Sequence, residues 1–243
     1  MYMVVAADHP QTSYIVQTRQ IARESEISYK SRLANPMAAS GAHIAWLCVP
    51  PGPHIPLMIE AAIEAGLHVV AEKPWQCSHV QTDSLVKLAA AKRLLVAIHY
   101  QYCFLEAVES WRHKLNNGVA LRFGGRFAIS RPNRLGISAL ENLGCHLLAI
   151  RAYAVPQSSI SEINCAYNQR DERYVWVETE HGDITSVDFF GNSEPVIQRF
   201  IARFDAALSG SEFPFSLDFA ERVSNAVAGW ARAQPRESGD RPV

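Results

Sequence analysis

The stretch Ile44-Ala-Trp-Leu-Cys-Val-Pro-Pro-Gly-Pro-His54, with the segment Ala65-Gly-Leu-His-Val-Val-Ala-Glu-Lys-Pro74 that follows a helical run, decides the fold. Ile44–Val49 is an unbroken apolar run closed by Pro50, Pro51 and Gly52, the pattern of a strand buried on both faces. Pro56–Ala65 then places apolar residues at helical spacing, with proline in the first turn, where its missing N–H costs nothing, and Gly66 just past the end. His68–Ala71 is a second buried strand, ending in Glu72, Lys73 and Pro74. A strand, a helix and a strand in so few residues form a parallel βαβ unit.

Working outward, the same alternation continues on both sides. Met3–Ala7 is a short apolar run ending at Asp8, and the stretch from Asp8 to Val49 has room for one helix between two strands. His79–Lys92 reads as a helix and Leu94–Ile98 as a strand. After Tyr100 the pattern changes. A helix over Leu105–Leu115 precedes an alternating strand at Ala120–Ser130, a helix over Ser138–Tyr153, and three closely spaced strands at Ile160–Ala166, Tyr174–Glu180 and Ile184–Phe190. Short turns such as His181-Gly-Asp183 favour antiparallel hairpins. Val196–Leu208 and Leu217–Ala233 close the fold as helices, and Pro235–Val243 reads as a polar tail. The fold class is therefore α/β: an incomplete Rossmann-type parallel sheet over residues 1–104, then an α+β domain with a mostly antiparallel sheet over 105–243.

Composition narrows the function classes. With 48% hydrophobic and 19% charged residues, the 243-residue chain is of ordinary globular make-up. A net charge of −1 gives no basic footprint for a phosphate backbone, so nucleic acid is not an expected partner. The longest apolar run, Ile44–Val49, is far short of the roughly 20 residues of a membrane span, and no leader follows Met1, which implies a cytoplasmic protein with no membrane partner. Cys48, Cys77, Cys103, Cys145 and Cys165 lie far apart, without a Cys-x-x-Cys pair, a pattern of buried free thiols and not of a metal site or disulfide framework.

These motifs together resemble the glucose–fructose oxidoreductase / inositol dehydrogenase (Gfo/Idh/MocA) family. The Pro-rich turn with His54, the Ala65-Gly66 helix end and the Glu72-Lys73-Pro74 strand end carry the resemblance. Gln101-Tyr-Cys-Phe104 is similar to the family's Tyr-Arg-Phe segment, and Asn142-Leu-Gly-Cys-His146 to its Asp-x-x-x-His motif. The front departs from the pattern. The family opens with a strand and a Gly-x-Gly-x-x-Gly turn that binds pyrophosphate through backbone amides at a helix N-terminus, and here no glycine precedes Gly41. Met3–Asp8 then resembles the family's second strand, with a first strand missing; the alternative register makes it the first strand, followed by a glycine-free turn at His9–Ser13. Losing charge-assisted amide bonds worth about 1.5 to 3 kcal/mol each implies weak NAD or NADP binding.

The resemblance implies roles residue by residue. Lys73, at the carboxyl end of a parallel strand, would polarise the substrate hydroxyl beside the nicotinamide, and His146 would exchange its proton; the alternatives are a solvated lysine after a strand and an equally weighted hydrogen-bonded core histidine on an apolar helix. Asn142, one helical turn earlier, stands where typical members carry aspartate, so it keeps hydrogen bonding and gives up charge. Pro50, His54, Glu72 and Gln101 would line the cofactor crevice with Lys73, and Asp8 would meet the adenosine ribose. For His54 a helix-capping role is an equal alternative, and for Asp8 a turn role. Arg131 and Arg134 could engage an anionic group on the substrate, or sit in a solvated loop. Ala149 replaces a second acid, and Cys103 an arginine.

Two functions stay open on this reading. One is hydride transfer between NAD(P) and a sugar, cyclitol or related hydroxyl or carbonyl compound. The other is an inactive relative that senses a small molecule or binds a protein. A start inside a longer reading frame would also account for the absent glycine turn. Family members commonly self-associate through the second sheet, so a homo-oligomer through the face carrying Trp176 is expected.

Overall fold

The computed structural model describes residues 2–6, 26–115, 120–133, 135–189 and 196–233. Its first sheet is built from β1 (Tyr2–Ala6), β2 (Ile44–Cys48), β3 (His68–Ala71) and β4 (Val96–Ile98), in that spatial order. All three pairings are parallel. The helices α1 (Glu26–Ala39), α2 (Ile55–Glu64) and α3 (His79–Ala91) provide the crossovers, as parallel strands require. Tyr2–Ala6 pairs directly with Ile44–Cys48, with no strand between them.

Local sequence explains the helix ends. Ser78 caps α3 by accepting from Gln81 N, while the Gln81 side chain accepts from Ser78 N, a reciprocal capping box. At the C-terminus of α2, Gly66 takes φ +79, Gly66 N donates to Ile63 O and Leu67 N to Ala62 O, the paired bonds of a Schellman ending. The same bonds close α3, from Arg93 N to Ala90 O and Leu94 N to Ala89 O, but here the left-handed residue is Arg93, at φ 55.

A 3-10 turn, Gln101–Phe104, leads from β4 into α4 (Glu106–Leu115) and β5 (Ala120–Ile129). A π-helical segment, Leu140–Gly144, runs into α5 (Cys145–Ala154), followed by β6 (Ser159–Tyr167), β7 (Glu172–Thr179) and β8 (Ile184–Asp188). The second sheet has the order β6-β5-β7-β8. The hairpin expectation holds for β7 and β8 and fails for β6 and β7, which flank β5 on opposite edges. The reason is the α5 crossover, which returns β6 parallel to β5 and leaves the other edge of β5 for antiparallel β7. The thiol expectation also needs correction, since Cys103 and Cys145 are buried, Cys77 and Cys165 half-buried, and Cys48 exposed, all five free.

The last two helices, α6 (Val196–Leu208) and α7 (Leu217–Ala233), return to the first sheet. Phe200 of α6 lies 4.7 Å from the His99 ring and 6.0 Å from Trp46, and Ile98 N of β4 donates to Phe215 O. Phe104, Phe200, Phe213 and Phe215 pack edge-on and stacked with centroids 4.8 to 6.5 Å apart, separations at which aromatic pairs attract beyond their buried area. This seam joins the two sheets through one continuous core. Because Arg93 is exposed and left-handed, Arg93→Gly is expected to raise stability by about 0.5–1 kcal/mol, measured as a higher urea midpoint. An unchanged or lower midpoint would show that the strain is relieved elsewhere.

Candidate active site

Parallel strands expose their carboxyl ends on one edge of the sheet, which is where ligands bind in open α/β folds. Here that edge presents, from neighbouring strands, the Pro50–His54 turn after β2, Glu72 and Lys73 after β3, and Gln101 after β4. The sequence-derived set Pro50, His54, Glu72, Lys73 and Gln101 is thus gathered on one edge. Asp8 and Arg134 lie outside the described residues. Arg131 is exposed in the loop after β5, and its carbonyl accepts from Asn168 N.

Lys73 reaches across to the second sheet's helix. Its Nζ donates to both oxygens of Asn142, the main-chain O at 2.7 Å and Oδ1 at 2.8 Å. Asn142 sits in the middle of the π segment, where the wider i→i+5 register reassigns carbonyl partners; the same main-chain oxygen also receives Cys145 Sγ at 3.2 Å. Gly144 lets this segment press on β6, since a Cβ there would meet Leu140 at 2.7 Å and Cys165 Sγ at 3.3 Å.

His146 follows one turn after Asn142 and is buried, at 7% exposure. Its ring stacks on Phe127 at 5.5 Å and meets Tyr102 edge-on at 4.8 Å. Arg173, over the Phe127 ring, donates to Tyr102 Oη at 3.4 Å. Burial first, then the charges of Lys73, His99 and Arg173, hold the His146 imidazole well below its ordinary pKa, so it is neutral at physiological pH. Its Nδ1 is enclosed without a hydrogen-bond partner. On the other side of Lys73, Glu72 accepts from Trp46 Nε1 at 3.4 Å and pairs with His99 Nδ1 at 2.9 Å. Burial alone would raise the Glu72 carboxyl, but the His99 bond and charge, the Trp46 bond and the Lys73 charge outweigh it and lower the pKa.

His54 is the residue preceding α2 and makes no side-chain cap bond, which disfavours the capping alternative. Burial lowers its pKa against a bond to the Pro50 backbone. Its Nε2 and the Oε1 of Gln101 are both enclosed without partners. Polar atoms buried in that condition are costly, and a nicotinamide nucleotide, rich in hydroxyl and carboxamide groups, would satisfy both from the edge they share with Lys73. The described residues therefore fit the nicotinamide half of such a cofactor. A cavity of about 410 Å³ is lined by Pro74, Trp75, Tyr100 and Cys145 among others, and by neither Lys73 nor His146.

Tyr102, Phe127, Tyr167 and Arg173 belong to this site and were not singled out in the sequence. Tyr102 had a local signal, since it lies inside the Gln101–Phe104 motif. The other three arrive through the register of the second sheet, where Phe127 pairs with Cys165 and Arg173, and no local pattern marks them.

The fold is thus a Rossmann-type parallel sheet with a lysine at a strand end, facing a helix that packs on a second, mixed sheet. Residues 8–100 match the Gfo/Idh/MocA model, described as oxidoreductase family, NAD-binding Rossmann fold. No curated protein sequence matches the chain. Among solved structures, UDP-N-acetylglucosamine 3-dehydrogenase GnnA from Acidithiobacillus ferrooxidans superposes with TM-score 0.70 at 13% identity, over 94% of this chain and 96% of that one. The inositol dehydrogenase homolog from Azotobacter vinelandii, complexed with NADH and myo-inositol, gives 0.62 at 16% identity over 84% and 80%. GenD2 from gentamicin A biosynthesis, in complex with NAD, gives 0.66 at 14% over 87% and 84%. At these identities the likeness is one of fold. No helix among the described residues is long and apolar enough to cross a membrane.

The neutral His146 makes stability depend on pH. Below its ordinary value near 6.5 the unfolded chain takes up a proton that the folded site refuses. Stability is therefore complete above about pH 6.5 and falls as pH drops toward the folded-state value. His54 and His68, also lowered by burial, contribute with the same sign. The urea midpoint should be lower at about pH 5.5 than at about pH 7.5, with a shallower dependence in His146→Gln. An unaltered pH slope in that variant would mean that His146 is protonated in the folded protein.

Proposed function

We propose that the chain is an NAD(P)-dependent oxidoreductase acting on a hydroxyl or carbonyl group of a sugar, cyclitol or related compound. The observation that carries this reading is the contact of Lys73, at the end of a strand of the first sheet, with Asn142, one helical turn before the buried His146, on the sheet edge that also presents the enclosed, unpartnered His54 Nε2 and Gln101 Oε1. When bound, the nicotinamide ring supplies the hydride acceptor or donor. In the oxidation direction, Lys73 Nζ donates to the substrate oxygen and stabilises the negative charge that grows on it as hydride departs. The neutral imidazole of His146 accepts the hydroxyl proton. Asn142 holds Lys73 in place, and Glu72, kept anionic by His99 and Trp46, balances the lysine's charge. Arg131 and Arg134 stand as candidates for an anionic substituent on the substrate, Asp8 for the adenosine ribose.

One observation favours a second reading, a ligand-binding relative without turnover. Asn142 is neutral, and the surrounding cations disfavour a protonated His146, so an imidazolium formed during the reaction gains little support. Titration with NADH and NADPH, then assay of myo-inositol and UDP-N-acetylglucosamine with the oxidised cofactors, separates the two. The enzyme reading expects reduced nicotinamide to appear, and Lys73→Ala and His146→Ala each to lower kcat by about a hundredfold or more without loss of folding. If turnover is absent and both variants alter ligand affinity only, the sensor reading holds. The absent glycines before Gly41 lead to weak dinucleotide binding, which submicromolar affinity would overturn.

The outer face of the second sheet supports self-association. Val175 and Val177 point into the core, while Trp176 and the exposed Ile184 lie on the opposite face. Light scattering at micromolar concentration should give a dimer or larger, and Trp176→Glu a monomer. A monomeric wild-type mass would remove this proposal.

A further inference from the structure

We propose that the cavity enclosed by the Trp75 segment, the π segment and α7 is a binding site, separate from the reactive edge, for a small uncharged molecule with an apolar ring and one hydrogen-bonding oxygen. The cavity measures about 410 Å³, within the range of small-molecule sites. One wall is a face of α7, where Val223 and Val227 stand beside the small side chains of Ser224, Ala228 and Ala231. Size and apolar walls do not by themselves make a site. The group that points to a ligand is Tyr100, which lines the cavity and whose hydroxyl is enclosed without a hydrogen-bond partner. A buried hydroxyl left unpaired is costly. Phe215 and Phe219 close on its ring edge-on at 6.2 and 5.8 Å and bring no polar side-chain atom, so the cavity is the side from which a partner can reach it. The hydroxyl lies in the wall, and a tilt of the ring toward a bound molecule breaks no existing bond, because there is none to break.

Other polar groups of the wall are already engaged. Trp75 donates Nε1 to Thr82 Oγ1 at 3.1 Å and so offers the cavity its apolar ring. Cys145 Sγ donates to Asn142 O at 3.2 Å, and the Glu141 carboxylate accepts from Ser138 N and Oγ at 3.0 and 2.8 Å. Burial holds the Tyr100 phenol well above its ordinary pKa, so it stays protonated. A hydroxyl both donates and accepts, and the oxygen of a ketone, an aldehyde or an alcohol would each satisfy it. What the wall excludes is charge. Among the described residues no lysine, arginine or histidine lines the cavity, so an anion would leave water with no counter-charge. The carboxylate of Glu141 is exposed and gives a cation little in return.

Acetophenone and isopropenylbenzene, in which a methylene replaces the carbonyl oxygen, are matched probes, with benzoate as the anionic control. Binding is read by titration from the methyl resonances of Val223 and Val227 in methyl-labelled protein. Acetophenone should shift them saturably with a Kd on the order of 1 mM, ordinary for so few atoms, and benzoate should bind about tenfold more weakly or not at all. Tyr100→Phe should weaken acetophenone about fivefold, the factor that corresponds to one hydrogen bond, and leave isopropenylbenzene unchanged. Ala228→Trp, at an exposed position of the same wall, should fill the cavity and abolish the binding of both. The absence of a saturable shift would overturn the proposal, as would benzoate binding as tightly as acetophenone. An acetophenone affinity unaffected by Tyr100→Phe, or an equal loss for both probes, would remove the role of the hydroxyl and with it the site. Binding that persists in Ala228→Trp would place the probe elsewhere. The outcome is independent of whether the chain oxidises an alcohol, since neither Lys73 nor His146 lines the cavity.

Discussion

The arrangement depends on a single cation that joins two sheets. Lys73 ends a strand of the parallel sheet, and its ammonium is held by both oxygens of a residue in the π segment of the second layer. A half-buried ammonium needs acceptors, because removing it from water without them is expensive. That requirement fixes the distance between the strand edge and the helix carrying His146. It also gives the π segment a purpose, since a carbonyl in a widened turn is available to partners outside its own helix.

The aromatic seam supplies what this polar contact cannot. Phe200 and Phe215, carried by the last part of the chain, pack against His99, Trp46 and Tyr100 of the first sheet. The two layers therefore share a core, and the reactive edge is held from behind by apolar burial and in front by Lys73. Dispersion and area burial are not directional, so the seam gives strength, while the two hydrogen bonds of Lys73 give register.

Charge in the site is graded over a few side chains. Glu72 stays ionised despite burial because His99 and Trp46 bond to it. His146 stays neutral because it is enclosed and has cations for neighbours. A carboxylate that is kept charged and an imidazole that is kept uncharged, on either side of one ammonium, show their environments pushing the two pKa values apart, the divergence on which the proposed acid–base roles draw.

The sequence by itself determined most of the elements and what stands at the carboxyl edge of the first sheet. Buried parallel strands read as short apolar runs, helices announce their ends through Ser78, Gly66 and proline, and a residue just past a parallel strand must lie on that edge, so the placement of Lys73, Glu72, His54 and Gln101 there was legible from position alone. Only the tertiary structure decided the rest. Which strand β5 pairs with on each side depends on the α5 crossover and not on turn length, and this register brings Phe127 and Arg173 beside His146, and Tyr167 onto Asn142, from positions with no local signature. The protonation of His146 and the facing of the Asn142 amide were likewise invisible in the chain, because each is set by groups distant in sequence that meet only once the two sheets have packed.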